Sequence, residues 1–401
     1  MGYHVLFIIL ALLSYNNYIC VIKWRIMVIN KNPFVTSGYI SPEFFCDREE
    51  ESERLIQEIS GNNLALISTR RMGKTGLIQH CFQQDEIVHD YYTFFVDIYA
   101  TKSLRDFVFS LSKVIFESLK PKGKKAIEKF WYYMKSLHAG VSFDISGNPS
   151  LTFGLGDIQE ANATLEEIFE YLEKADKPCI VAFDEFQQVA GYAEKNVEAI
   201  LRTYIQHCNN ARFIFAGSQR HTMGNIFQSP ARPFYQSVSM MHLDSIPLGK
   251  YTAFAEYHFG RGNRVILPEV VTFIYNQFEG ITWYMQKMLH VLYNMTPLKG
   301  VCSMGMVDEA LKSVIESYRY TYSEILFRLP EKQKELLIAI TKEGKATEIT
   351  SGSFVKKYKL HSPSSVQAAL KGLLEKDFVT REQDVYQVYD RFLAIWLKEN
   401  Y

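Results

Sequence analysis

No excess charge of either sign marks this sequence. Lys+Arg and Asp+Glu number 44 each among 401 residues, so no whole-chain field favours a polyanion as main partner, and any nucleic-acid role requires a local patch. The sequence also lacks a C-x-x-C pair and any Cys/His cluster at zinc spacing. Its six cysteines, Cys20, Cys46, Cys81, Cys179, Cys208 and Cys302, lie far apart, which argues against structural zinc. They read as buried thiols in a reducing compartment rather than the disulfide framework of a small secreted chain. The cytoplasm is the expected location, with no membrane partner. There is no internal repeat and no low-complexity tract. The apolar run at residues 5–13 is too short to span ~30 Å of hydrocarbon as a helix. It also lacks a preceding Lys or Arg and a clear small-residue cleavage site, so it makes a poor signal peptide. The alternative is that the natural start is Met27 and that residues 1–26 are an upstream extension.

What is present is an ordinary globular composition, 47% apolar and 22% charged, in a chain long enough for two or three units of ~100–200 residues. The 28 Phe and 25 Tyr read more simply as core than as a surface for stacking bases. Asp47 followed by Glu50 looks like a capping box, predicting a helix over 48–60 with Leu55, Ile56 and Ile59 on its apolar face. Residues 64–67 read as a short buried strand, and 68–75 as a loop running into a helix that continues to 82. Further strands are expected at 91–97, 179–183 and 212–216, and helices at 103–119, 164–174 and 196–207, the first capped by Ser103.

This alternation implies an α/β fold, a parallel sheet with helices on both faces, over 27–246. Period-two apolar spacing over 138–155 suggests an inserted hairpin, with an irregular loop as the alternative. Strand signals stop after about Pro247, and 247–322 reads as a run of helices, a separate helical unit. From Pro330 come three helices and a hairpin, with Ser362 capping the third helix and Pro363 at its first position. That is a winged-helix layout, giving a last domain over 323–401.

Ser68-Thr69-Arg70-Arg71-Met72-Gly73-Lys74-Thr75 matches G-x-x-x-x-G-K-[ST] except for serine in first place. In such a loop Gly73 lets the backbone approach phosphate, and the amides with the helix opening at Gly76 attract the anion. Lys74 reaches the β- and γ-phosphates, and Thr75 ligates magnesium. The expected ligands are ATP and Mg²⁺. About 110 residues on, four apolar residues precede Asp184-Glu185. Asp184 would hold the magnesium shell with Thr75, and Glu185 would orient or deprotonate the attacking water. Lys74 and Glu185 are therefore the candidate catalytic residues. The plainer alternatives are a basic turn before a helix and an ordinary strand ending in a solvated turn. A third strand ends in Gly217-Ser218-Gln219, making Ser218 either a γ-phosphate sensor or a loop residue. Arg70, Arg71, Arg220 and Arg232 are candidate phosphate or interface arginines, none singled out as a finger.

With these residues the chain resembles the prokaryotic (archaeal-type) P-loop ATPases of the STAND branch, relatives of AAA+ and origin-recognition ATPases, over roughly residues 32–400. The resemblance is carried by 45–51 (FCDREEE), 70–75 (RRMGKT), Asp184-Glu185, Ala216-Gly217-Ser218 and 389–397 (YDRFLAIWL). It implies that the segment around Arg48 lies near the adenine, that 247–320 form a helical lid, and that a winged helix follows. Three positions depart from the family pattern: Ser68 and Asp47 where glycine is usual, and Gly280-Ile281-Thr282 in place of Gly-x-Pro. These departures favour slow hydrolysis or a nucleotide switch in which ATP orders the lid and linked domain, acting on another protein or on a second copy. A DNA-binding regulator working through the winged helix is the alternative. Against it, residues 321–401 carry 13 Lys+Arg and 11 Asp+Glu, and the expected recognition helix, 364–376, offers few cations where a DNA-reading module shows a basic face. A nucleotide kinase would share the loop, but no acceptor-binding pattern supports one.

Overall fold

The computed structural model describes residues 32–401 except 138–139, 144–148 and 153–157. The expectations for residues 1–26, for the start at Met27 and for the apolar run at 5–13 lie outside the described residues. Among the described residues no helix is long and apolar enough to cross a membrane. The chain divides into two compact units. One comprises Pro33–Phe254 with Glu279–Lys287, the other Asn32, Ala255–Phe278 and Met288–Tyr401.

In the first unit, helix α1 (Glu49–Gly61) leads to strand β1 (Leu64–Ile67), and α2 (Lys74–Cys81) and α3 (Asp85–Asp90) to β2 (Tyr92–Asp97). Helices α4 (Leu104–Leu119) and α5 (Lys124–Tyr133) precede the antiparallel hairpin β3 (Gly140–Phe143) and β4 (Pro149–Thr152), so the expected insertion is a hairpin. Then follow α6 (Ala161–Glu173), β5 (Cys179–Asp184), α7 (Val197–His207), β6 (Ala211–Gly217), α8 (Arg220–Gln228), β7 (Ser239–His242) and α9 (Leu248–Arg261), whose last residues pass into the second unit.

The sheet has the order β2-β5-β6-β1-β7 with every pairing parallel. Both faces are covered, which is why β1 and residues 179–183 of β5 are unbroken apolar runs, with both strands buried throughout. Alternate side chains serve opposite cores. Leu64, Leu66, Ile180 and Ala182 pack with Leu55 and Ile59 of α1 and Leu77 and Ile78 of α2. Ala65, Ile67, Val181 and Phe183 pack with Phe107 and Leu111 of α4 and Ile168 of α6. Phe183, Phe186, Phe213, Phe215, Phe227 and Phe234 form a chain of ring contacts inside this second core, so much of the phenylalanine content is structural.

The capping box at Asp47 and Glu50 does not form. Arg48 is the N-cap, with left-handed backbone (φ 77°) and no side-chain cap bond. Asp47, itself left-handed at φ 54°, turns its carboxylate to Lys250 at 2.9 Å. A left-handed φ is the conformation glycine adopts most readily and Asp tolerates, which accounts for aspartate at a position where the resembled family has glycine. Ser103, by contrast, caps α4 by accepting from the Asp106 amide.

In the second unit, strand signals do not stop as expected. β8 (Val265–Ile266) pairs in parallel with β9 (Val301–Cys302), two residues each and too short to show a period. The helices here are α10 (Pro268–Phe278), α11 (Thr282–Met295), whose first turns belong to the first unit, and the long α12 (Met304–Arg328). The winged helix follows: α13 (Glu331–Glu343), α14 (Gly352–Lys357), α15 (Pro363–Glu375), the antiparallel β10 (Val379–Glu382) and β11 (Val385–Val388), and α16 (Arg391–Asn400). Ala346 bridges to Tyr386 as a third short edge. Ser362 caps α15 by accepting from the Ser365 amide, and the Asp390 carboxylate caps α16.

Candidate functional site

β1 delivers the chain to the carboxyl edge of the sheet, where residues 68–73 turn into α2. The turn needs left-handed backbone at Arg71 (φ 69°) and Gly73 (φ 96°). Ser68 is not among the left-handed residues, so serine is accommodated there without backbone strain. Lys74 is buried. Its Nζ donates to Ser68 Oγ at 3.1 Å, Thr69 O at 3.3 Å and Ser68 O at 3.4 Å. Burial lowers the lysine pKa, opposed by the charges of Glu185 and Asp184.

β5, two strands from β1 in the sheet, brings its terminal acids to the same edge. Thr75 Oγ1 donates to Asp184 Oδ2 at 2.5 Å, and the Glu185 amide donates to Asp184 Oδ1 at 3.0 Å. Burial pushes the Asp184 carboxyl up, with the Thr75 hydrogen bond acting the other way. Glu185 sits in left-handed backbone (φ 58°), a conformation that costs energy for a side chain of this size and aims it out of the strand. Its Oε2 accepts from Ser218 Oγ at 2.7 Å and from Gln187 Nε2.

Gln187 was not anticipated from the sequence. It is buried, and its Oε1 accepts from the Ser218 amide at 3.3 Å. It fits because residue 217 is glycine: a Cβ there would lie 2.7 Å from Gln187 Oε1. The only sequence signal was its place two residues after Glu185, which says nothing about where the side chain points. Arg70 Nε reaches Ser218 Oγ at 3.3 Å, so three of the expected residues and one unexpected one form a single network.

The remaining candidates divide. Arg48 is buried, ion-pairs with Glu51, and donates to Asp244 O at 2.6 Å and to Met72 O at 3.5 Å, so it braces the loop. Arg71 lies 4.2 Å over the Trp283 ring and 5.0 Å over Tyr284, with Nη1 on the Tyr284 hydroxyl at 2.5 Å. Thr282 Oγ1 donates to Met72 O at 3.0 Å, and the Trp283 amide to Arg71 O at 3.1 Å. Gly280-Ile281-Thr282 therefore leads directly onto the loop. Gly76 packs near Phe45. Arg220 approaches Asp244 at 4.0 Å, and Arg232 pairs with buried Glu198 at 2.8 Å.

The donor set suits one hard divalent cation. A hydroxyl and a carboxylate oxygen already share a hydrogen bond at the loop, beside a buried ammonium. Among the described residues no group of three or more His, Cys, Asp or Glu could hold a metal by itself. The Thr75 hydroxyl and the Asp184 carboxylate are oxygen donors of the kind that magnesium takes, one or two from protein with the rest from phosphate and water.

Comparison with known structures bears on the fold. A Walker-type ATPase of Pyrococcus abyssi superposes with a TM-score of 0.64 at 17% identity, covering 91% of this chain and 99% of that one. The chain shares the Walker-type fold. The ORC2 protein of Aeropyrum pernix in its ADPNP-ADP complexes gives 0.54 at 13% identity, over 92% and 97% of the two chains. The ADP form of that protein gives 0.51 at 14%, over 92% and 96%. Residues 320–399 match the family described as a probable winged helix domain. No curated protein sequence matches. These likenesses carry the Walker-type fold and the wing, and leave the site to be argued from its own residues.

Proposed function

We propose that the protein binds ATP with magnesium at the 68–75 loop and hydrolyses it slowly, as a nucleotide-driven switch. The observation that carries this is the Thr75–Asp184 hydrogen bond. It joins the hydroxyl that follows a phosphate-loop lysine to the last acid of a buried strand, the pair that Mg-ATP chemistry requires in one place.

Lys74, Gly73 and the amides leading into α2 would hold the phosphates, and Thr75 with Asp184 would hold the cation. Bound magnesium supplies charge neutralisation on the phosphate oxygens. Lys74 must leave Ser68 Oγ and the two carbonyls to meet a phosphate. Glu185 receives the proton of the attacking water, held in position by Ser218 and Gln187. Those two hydrogen bonds fix the direction of the carboxylate toward the loop, which is the positioning that a water-activating group requires.

Thr282, Trp283 and Tyr284 are the route outward. They contact Met72 and Arg71 and open α11, which continues into the second unit. Ordering of the loop by nucleotide thus acts on the helix that leads to the winged helix. The output is contact with another protein or a second copy rather than DNA. Lys371 is the one Lys or Arg within α15, and it lies near Glu375, leaving little net positive charge on that helix.

The test is calorimetric titration of ATP with and without Mg²⁺. Wild type should bind with a magnesium-dependent affinity, Lys74→Ala should bind weakly or not at all, and Asp184→Asn should bind with the magnesium dependence removed. Equal affinity for all three overturns the reading.

A further inference from the structure

A cavity of about 490 Å³ opens at the amino edge of the sheet, where β1, β6 and β7 begin. The 68–75 loop follows the other end of β1, so the cavity is separate from the nucleotide site. Its volume lies within the ~300–1,000 Å³ of ligand pockets, but its walls are far more polar than the usual apolar lining. Two arginines, Arg202 of α7 and Arg212 of β6, line it together with Asn62, Asn63, Gln206 and Gln236, and no acidic side chain does. Glu173, the carboxylate that reaches Asn209, is occupied by the backbone amides of Asn209 and Asn210 at 2.7 and 3.0 Å.

Arg212 is held by its Nη1, which donates to Asn209 O at 2.9 Å and Ala211 O at 3.0 Å. Its Nε is buried and has no hydrogen-bond partner among the described residues. Arg202 Nη1 is bound to Gln206 Oε1 at 2.9 Å. The cavity thus combines two guanidinium groups and several side-chain amides, with little apolar wall to hold a greasy ligand.

We infer that this cavity is a second anion site, for a small polar molecule carrying a phosphoryl or carboxylate group. The planar guanidinium fork matches either oxyanion. The site is independent of the nucleotide reading and stands or falls without it.

The experiment is calorimetric titration of the full chain carrying Lys74→Ala, which lacks the ammonium of the nucleotide loop, with inorganic pyrophosphate and separately with citrate. The two arms separate phosphoryl from carboxylate chemistry. At least one should bind saturably at a single site. Adding Arg212→Lys, which keeps the charge but removes the fork, should weaken it about tenfold or more, and Arg202→Lys should weaken it less. A wild-type circular dichroism spectrum and unfolding midpoint for the Arg212→Lys chain would show that the substituted protein is folded. Absence of binding by both anions at millimolar concentration overturns the inference. So does pyrophosphate binding that Lys74→Ala abolishes and Arg212→Lys leaves unchanged, because the anion is then in the nucleotide loop.

Discussion

Ser218 donates a hydrogen bond to the Glu185 carboxylate at 2.7 Å. The sequence left Ser218 either as a sensor of phosphate or as a loop residue. The contact ties it instead to the carboxylate expected to activate water, with Gln187 bonded to both.

The first prediction follows from that contact. Ser218→Ala removes one hydrogen bond to a charged group, worth about 1.5–3 kcal/mol, from a side chain that acts in turnover. Phosphate release should fall by about tenfold or more, while ATP affinity stays close to wild type. Quench-flow and titration measure the two separately. A loss confined to affinity would mean that Ser218 contacts the nucleotide instead.

Ser68 holds the Lys74 ammonium through its hydroxyl. Because its backbone is not left-handed, glycine has no conformational advantage there. Ser68→Gly therefore removes an acceptor that competes with phosphate for Lys74, and ATP should bind up to about tenfold more tightly. Weaker binding would mean that the hydroxyl assists the nucleotide.

Trp283→Leu should separate binding from signalling. It removes the ring face under Arg71 and the indole N–H that donates to Thr36 O at 3.0 Å. The Trp283 amide bond to Arg71 O is a backbone contact and remains. ATP affinity should change little, while nucleotide-induced protection of α11 and the winged helix from hydrogen exchange is lost. Protection equal to wild type would place the route elsewhere.

Asp184 carries a stability cost. Burial holds its carboxyl above the ordinary 3.8, so the native protein binds that proton more tightly than the unfolded chain does. Its contribution to stability is full below pH 3.8 and lost as pH rises through the folded value. At pH 7 the charged carboxylate is destabilising. Asp184→Asn, which keeps an acceptor for Thr75, should raise the unfolding temperature of the nucleotide-free protein by about 2–4 °C for each kcal/mol recovered. The gap should narrow toward pH 4. Calorimetry showing a lower midpoint for the variant would contradict this.

The central strands and the loop were legible because their signals are local. β1 and residues 179–183 of β5 are apolar throughout, and the loop's residue types follow from its chemistry. Ser362-Pro363 marked the start of α15 for the same reason. Less was legible where position depends on distant parts of the chain. Trp283 and Tyr284 meet Arg71 across more than 200 residues, and nothing in either segment names the other. Gln187 reaches Ser218 only because Gly217 leaves room. Asp47 and Glu50 had the right spacing for a cap, but the left-handed turn and Lys250 drew Asp47 away. The edge strand β7 is four residues, of which Met241 alone is buried, too few to show alternation.

The central claim is most directly tested by measuring Mg-dependent ATP binding and phosphate release for wild type, Lys74→Ala and Glu185→Gln side by side. The expected result is that wild type binds and slowly releases phosphate, Lys74→Ala does not bind, and Glu185→Gln binds without releasing phosphate. If wild type binds no nucleotide and the three proteins behave alike, the loop is not a nucleotide site.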